Sequence, residues 1–112
     1  MEKLTQKIID YINSKYTYNY KKWNIGFTNN IKEIKKELKN KNEIVCEYFK
    51  SWPCKNKTQA KQILKEISPL GFNIYNKTPT LIIFVFLAID KENYKAWKIL
   101  NSQKRKDYLI LK

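Results

Sequence analysis

The sequence contains no histidine, two cysteines and two glycines. Without histidine, a serine or cysteine nucleophile lacks its commonest general base. The two thiols, Cys46 and Cys54, are too few to complete a tetrahedral zinc site. Gly26 and Gly71 stand far apart and cannot form a glycine-rich loop around a phosphate. These absences exclude histidine-based catalysis and a cysteine-built zinc site, and we expect no metal and no small-molecule cofactor.

Arginine is almost absent as well, because Arg105 is the one arginine among 23 cationic residues. The net charge of +13 favours nucleic acid or an acidic protein as partner. Lysine is a weaker bidentate reader of guanine than arginine, so contact with the nucleic-acid backbone is favoured over base readout. The many lysines, asparagines, isoleucines and tyrosines also match the bias of an AT-rich coding sequence. Part of the charge is therefore explained without any binding function.

Long apolar runs are missing too. The longest, Leu81–Ile89, is far shorter than the roughly 20 residues that span a bilayer, so no membrane association is predicted. Charged residues interrupt the apolar residues near Met1, which predicts no signal peptide. The two cysteines are interpreted as reduced thiols, and we expect a cytoplasmic location.

The pattern of apolar residues over the 112 residues predicts one domain. It alternates helix and strand, which predicts an α/β (α+β) fold with a small, mostly antiparallel three-stranded sheet flanked by about four helices. The run from Thr80 to Ile89 is apolar on both faces and is the predicted centre of the sheet. Residues Tyr108 to Leu111 are predicted to form a short edge strand or a docked tail.

One segment has a more specific pattern. Residues 23–30, Trp-Asn-Ile-Gly-Phe-Thr-Asn-Asn, precede a predicted helix, and this unit resembles the second half of the GIY-YIG nuclease motif. Ala60 to Gly71 resembles the family's second conserved helix, and Asn73 lies where the family has a late asparagine. The resemblance covers roughly residues 18–88 and implies a nuclease-like fold, with Tyr18 and Tyr20 near the place of the family's first tyrosine.

The catalytic positions of that family are apolar in this chain. Counted from Gly26, the position of the phosphate-binding arginine is Ile34. Counted from Ala60, the position of the metal-binding glutamate is Ile63 or Leu64, and an aliphatic side chain offers a hard cation no oxygen. The resemblance therefore implies a degenerate, non-catalytic domain. A generic strand–turn–helix unit with a tightly packed glycine explains the same residues equally well.

Aromatic and basic residues are interleaved between residues 16 and 23, a composition suited to stacking on bases. The alternative is that the aromatic side chains belong to the core and that lysine stripes such as Lys57, Lys61 and Lys65 are solvated. The predicted nucleic-acid-binding residues are Tyr18, Tyr20, Lys21, Lys22, Trp23, Thr28, Lys35, Lys61, Lys65 and Asn73.

Two functions remain open from the sequence. The first is a non-catalytic basic module that contacts the backbone of DNA or RNA. The second is a protein-interaction or inhibitor module that acts on an acidic or nucleic-acid-binding partner, because function is not implied by a fold. Lysines in one continuous groove would favour nucleic acid, whereas Trp52 or Trp97 exposed in an apolar patch would favour a protein.

Overall fold

The computed structural model describes residues 1–15 and 20–111. Its helices are α1 (Lys3–Asn13), α2 (Ile31–Lys39), α3 (Lys57–Ile67) and α4 (Tyr94–Leu111). Its strands are β1 (Trp23–Thr28), β2 (Ile44–Pro53), β3 (Asn73–Ile74) and β4 (Ile82–Asp90). Within the described residues, the α+β class and the four helices are as the sequence predicts.

The strands form one mixed sheet in the order β2-β4-β1-β3. Strand β4 is antiparallel to both β1 and β2, whereas β3 runs parallel to β1. The sheet has four strands where the sequence predicts three, because β3 has two residues and is too short to show alternation. The mostly antiparallel character and the internal position of β4 are confirmed.

The sheet has two covered faces. Ile83, Val85 and Leu87 point to the face that carries α1, α3 and α4, which we call the three-helix face. Phe84 and Phe86 point to the other face, where α2 packs with its buried apolar residues. Side chains alternate along a strand, so a central strand covered on both faces must be apolar at every position.

Side-chain caps fix the starts of two helices. The spacing of Asn30 and Glu33 predicts a cap at the start of α2, and the Asn30 side-chain oxygen accepts a hydrogen bond from the Glu33 N–H at 3.2 Å. At α3 the cap is Asn56, whose side-chain oxygen accepts from the Gln59 N–H at 2.8 Å. Both asparagines have extended backbone, which is the conformation that a capping residue requires.

Strand β2 contains a bulge that changes which residues share a face. Glu47 pairs with Leu87 and Lys50 pairs with Val85, so two residues of β2 oppose the single residue Phe86. Tyr48 takes up the extra residue with a φ of 57°, in the left-handed region. As a result, Tyr48 packs on the three-helix face and Phe49 on the α2 face.

Helix α4 continues to Leu111, so the predicted strand or tail at Tyr108–Leu111 is wrong. Once a helix has started, each added residue gains a backbone hydrogen bond without a new nucleation cost. Four residues of strand-favouring composition are too few to overcome that advantage. The spacing of Tyr94, Trp97 and Leu100 predicts that all three side chains face inward. This prediction is wrong for Leu100, whose side chain is 63% exposed.

We predict that Gly26→Ala destabilises the fold, because the ring of Phe84, the residue paired with Gly26 on β4, lies against this glycine. A methyl group there would lie 2.6 Å from the Phe84 Cζ atom and 3.1 Å from the Tyr75 Cβ atom. Overpacking of this kind costs about 1–3 kcal/mol. Urea denaturation followed by circular dichroism measures the loss.

The matched comparison is a double-mutant cycle with Phe84→Leu, which removes the clashing ring. The double variant should be less destabilised than the sum of the single variants, because one change relieves the other. Additive losses would show that the ring does not limit the space at Gly26.

Candidate nucleic-acid interface

The two described aromatic residues of the predicted patch between residues 16 and 23 pack within the fold. Trp23 is 0% exposed in the core, so its predicted role in base stacking is wrong. Alternation along β1 sends Trp23, Ile25 and Phe27 to the same buried face. Tyr20 stacks on Phe72 at 4.8 Å between ring centroids. Tyr18 lies outside the described residues.

Three predicted residues do meet. The Asn73 side-chain amide donates a hydrogen bond to the Lys21 carbonyl oxygen at 2.6 Å, which ties β3 to the turn before β1. Lys21, Lys22 and Asn73 line a cleft of about 550 Å³ that also borders Trp97. The side-chain amide of Asn73 therefore joins two backbone segments. The cleft contains only three of the ten residues that were predicted to bind nucleic acid.

The remaining predicted residues do not share a surface. Lys35 is exposed on α2, whereas Lys61 and Lys65 are exposed on α3, and these helices cover opposite faces of the sheet. The Thr28 hydroxyl accepts a hydrogen bond from the Asn30 N–H at 2.9 Å and so helps to form the turn before α2. The predicted lysines therefore do not form one continuous groove.

An aromatic cluster that the sequence did not predict lies along β2 on the three-helix face. We call it the aromatic row, and its members are Tyr11, Tyr48, Trp52, Tyr94 and Trp97, all partly buried. Ring centroids are 5.6 Å apart for Tyr11 and Trp52, 6.0 Å for Tyr48 and Trp97, and 5.9 Å for Tyr94 and Trp97. The Tyr11 hydroxyl donates to the Tyr48 carbonyl oxygen at 3.0 Å, which joins the two halves.

Two lysines lie over one end of the aromatic row. The Lys50 Nζ atom is 4.9 Å from the Tyr11 ring centroid and 5.6 Å from that of Trp52. The Lys15 Nζ atom is 5.0 Å from the Tyr11 centroid and 5.5 Å from that of Tyr48. This end therefore combines three aromatic rings with two ammonium groups, which is the composition that single-stranded nucleic acid requires.

The other end of the aromatic row carries a carboxylate. The Tyr94 hydroxyl donates a hydrogen bond to Glu47, and this bond, with burial as the second cause, raises the pKa of Tyr94. Lys98 lies 5.9 Å from the Tyr94 ring centroid. The row is thus polarised, with its positive potential concentrated at the end near Trp52.

The aromatic row could not be predicted from the sequence because its members belong to three separate secondary-structure elements. Tyr11 belongs to α1, Tyr48 and Trp52 to β2, and the other two to α4. Only the spacing of Tyr48, Lys50 and Trp52 carried a signal, since alternate residues of a strand share a face. The contribution of α1 and α4 depends on tertiary packing, which no local pattern encodes.

The residues that align with the catalytic arginine and glutamate of the GIY-YIG motif pack in the hydrophobic core. Ile34 is 7% exposed against Phe84 and Phe86, and Ile63 is 0% exposed on the three-helix face. Leu64 is partly buried against the same core. Among the described residues, no group of three or more histidine, cysteine, aspartate or glutamate side chains could hold a metal ion.

Glu66, the carboxylate on α3 nearest in sequence to Ile63 and Leu64, has a structural role. Its oxygens accept hydrogen bonds from the Glu2 N–H at 3.0 Å and 3.1 Å and from the Thr5 hydroxyl at 2.6 Å. The bond from Thr5, followed by that from Gln62, lowers the pKa of Glu66. This carboxylate therefore joins the start of α1 to α3.

No family model, no curated protein and no solved structure matches the chain. None of the helices in residues 1–15 and 20–111 is both long and apolar enough to cross a membrane. The geometry of the aromatic row and its lysines is therefore the basis for a functional proposal.

We predict that Glu66→Gln weakens the dependence of stability on acid pH. A carboxyl group whose pKa is lower in the folded state stabilises the fold above its ordinary value of 4.5, and that contribution is lost as the pH falls below it. Urea midpoints measured between about pH 6 and pH 3 should therefore fall less in the variant than in the unchanged chain.

Glu43→Gln is the matched control, because Glu43 is an exposed carboxylate in the turn before β2 and belongs to no helix. Its midpoints should follow those of the unchanged chain over the same pH range. Equal acid sensitivity in all three proteins would contradict the role given to Glu66.

Proposed function

We propose that this chain is a non-catalytic basic module with a GIY-YIG-like fold that binds single-stranded DNA or RNA. The binding surface is the aromatic row, with Lys15 and Lys50 as the residues that contact the phosphate backbone. The observation that carries the proposal is the placement of two ammonium groups within 4.9 to 5.6 Å of three aromatic ring centroids. The net charge of +13 adds a long-range attraction for any polyanion.

Base stacking and phosphate contacts are together more favourable than the cation–π contacts that Lys15 and Lys50 make with the aromatic rings. A cation over an exposed ring contributes about 0.5–1 kcal/mol. Stacking of one base on an aromatic side chain contributes about 1–3 kcal/mol, and each lysine that moves to a phosphate also releases counterions. A base on Trp52 or Tyr11, with the displaced lysine on the adjacent phosphate, is therefore the more stable arrangement.

We predict that Lys15→Gln/Lys50→Gln lowers the salt dependence of binding to a single-stranded oligonucleotide. Each phosphate contact in a single strand contributes about 0.7 to the slope of log affinity against log salt, so the double variant should lose about 1.4. Trp52→Leu should weaken binding about 5- to 150-fold at fixed salt, because it removes one stacking ring. Fluorescence anisotropy of a labelled oligonucleotide measures both effects.

Two control variants sharpen this test. Lys61→Gln/Lys65→Gln removes the same charge from α3 and should leave the salt slope nearly unchanged. Glu47→Gln removes the carboxylate beside Tyr94 and should raise the affinity. Absence of binding at low salt, or equal losses from both lysine pairs, would refute the proposed surface.

We also predict that the chain does not cleave phosphodiesters by the mechanism of the family it resembles. That mechanism needs a metal and a fixed cation in the transition state, and the loss of one such stabilising contact costs about 3–4 kcal/mol. Supercoiled plasmid, single-stranded DNA and RNA should stay intact with magnesium or manganese. Cleavage that is abolished in a Tyr18→Phe/Tyr20→Phe variant would contradict this prediction.

A second candidate function is a protein-interaction module on α4. Ile99 and Leu100 are 66% and 63% exposed, and Leu100 lines the same cleft as the partly buried Trp97. Exposed large apolar side chains of this kind favour a docking surface. Capture from a native lysate with and without nuclease treatment separates the two functions. A protein retained after nuclease treatment and lost with Ile99→Asp/Leu100→Asp would support this candidate, whereas complete loss after nuclease treatment favours nucleic acid.

A further inference from the structure

A second recess lies on the α2 face, between the end of α2 and the start of β2. Its volume is about 460 Å³, which is within the range of small-molecule sites. Its apolar lining includes Leu38 and Phe49, and its exposed rim is formed by Lys35, Lys39, Lys41 and Lys91. Among the described residues, no carboxylate lines this recess.

The floor of this lysine-rimmed recess is a rigid aromatic surface. Phe49 is stacked near Phe84 and Phe86, with ring centroids 5.7 Å and 6.4 Å away. The β2 bulge directs Phe49 to this face. The Lys35 Nζ atom lies 5.4 Å from the Phe49 ring centroid, so one small ligand can contact an apolar and a cationic group at the same time.

We propose that this recess binds a free, small amphipathic anion, with an apolar body against Phe49 and a carboxylate or phosphate head among the rim lysines. Like charges gathered on one small rim repel each other unless an anion offsets them. The end of α2 contributes only about half a negative charge, so the ammonium groups of Lys35, Lys39 and Lys41 dominate the local potential. The head supplies the missing countercharge, and the body covers the exposed apolar floor.

The neighbouring carboxylates lie outside the lining of the recess. Glu37 accepts a hydrogen bond from the Tyr75 hydroxyl. Glu43, Asp90 and Glu92 line a different, adjacent recess that shares Lys91, and they offset the charge of that lysine. Lys35, Lys39 and Lys41 are therefore the residues on which recognition of the anionic head depends. The site lies on the opposite face from the aromatic row and does not depend on nucleic-acid binding.

The test uses 1-anilinonaphthalene-8-sulfonate, a fluorescent amphipathic anion, with the folded full-length chain. We expect saturable binding of the dye and displacement by decanoate. Decanol and inorganic phosphate, which supply the body alone and the head alone, should displace it at least about tenfold less well. No dye binding, or equal displacement by decanol, would overturn the proposal.

Matched triple variants locate the site. Lys35→Gln/Lys39→Gln/Lys41→Gln should weaken decanoate displacement about tenfold or more, whereas Lys57→Gln/Lys61→Gln/Lys65→Gln, with the same charge change on α3, should change it less than about twofold. Ile44→Glu places a carboxylate in the recess and should also abolish displacement. Equal losses in the two triple variants would reduce the effect to net charge and overturn the assignment.

Two further arms distinguish other ligands. Displacement of the dye by a single-stranded oligonucleotide that is lost in the rim variant would make the recess part of the nucleic-acid surface. Retention on anionic phospholipid vesicles without displacement by free decanoate would assign the recess to a membrane surface. Either result contradicts a site for a free small anion.

Discussion

The bulge in β2 is the constraint on which both candidate surfaces depend. It places Tyr48 on the three-helix face and Phe49 on the α2 face. A left-handed conformation costs a residue such as Tyr48 about 1–2 kcal/mol. Contacts with Tyr48 offset this cost, because its carbonyl oxygen accepts from Tyr11 and its hydroxyl accepts from Asn101. Without the extra residue, and with Glu47 still paired to Leu87, Tyr48 would point to the α2 face and Phe49 to the three-helix face, because side chains alternate along a regular strand.

Lysine density alone does not distinguish one surface of this protein from another. The exposed lysines are distributed over both faces of the sheet, as a coding bias without selection for binding would also produce. The two proposed sites differ from the rest of the surface in the aromatic and apolar side chains that lie next to their lysines. Lys15 and Lys50 lie over the aromatic row, whereas Lys35, Lys39 and Lys41 surround an apolar recess. Charge provides attraction over distance, and the neighbouring apolar surface provides selectivity.

Local sequence patterns predict most of the fold and little of the site. Alternation identifies β1, an uninterrupted apolar run identifies the central β4, and the spacing of Asn30 and Glu33 identifies the start of α2. Strand β3 is too short to give a pattern. Trp23 shows why the site is harder to predict, because an aromatic beside two lysines has the same local composition whether its strand faces the core or the solvent. The aromatic row depends on the bulge and on the packing of α1 and α4 beside β2, both of which are properties of the tertiary fold.

The most direct test of the account is nuclear magnetic resonance of the three tryptophan indole N–H groups during titration with a single-stranded oligonucleotide. Trp52 and Trp97 belong to the partly buried aromatic row, whereas Trp23 is buried in the core. The account predicts that the indole signal of Trp52 shifts most, that of Trp97 shifts less, and that of Trp23 shifts least. No shift of the Trp52 indole signal, or a shift no larger than that of Trp23, would contradict it.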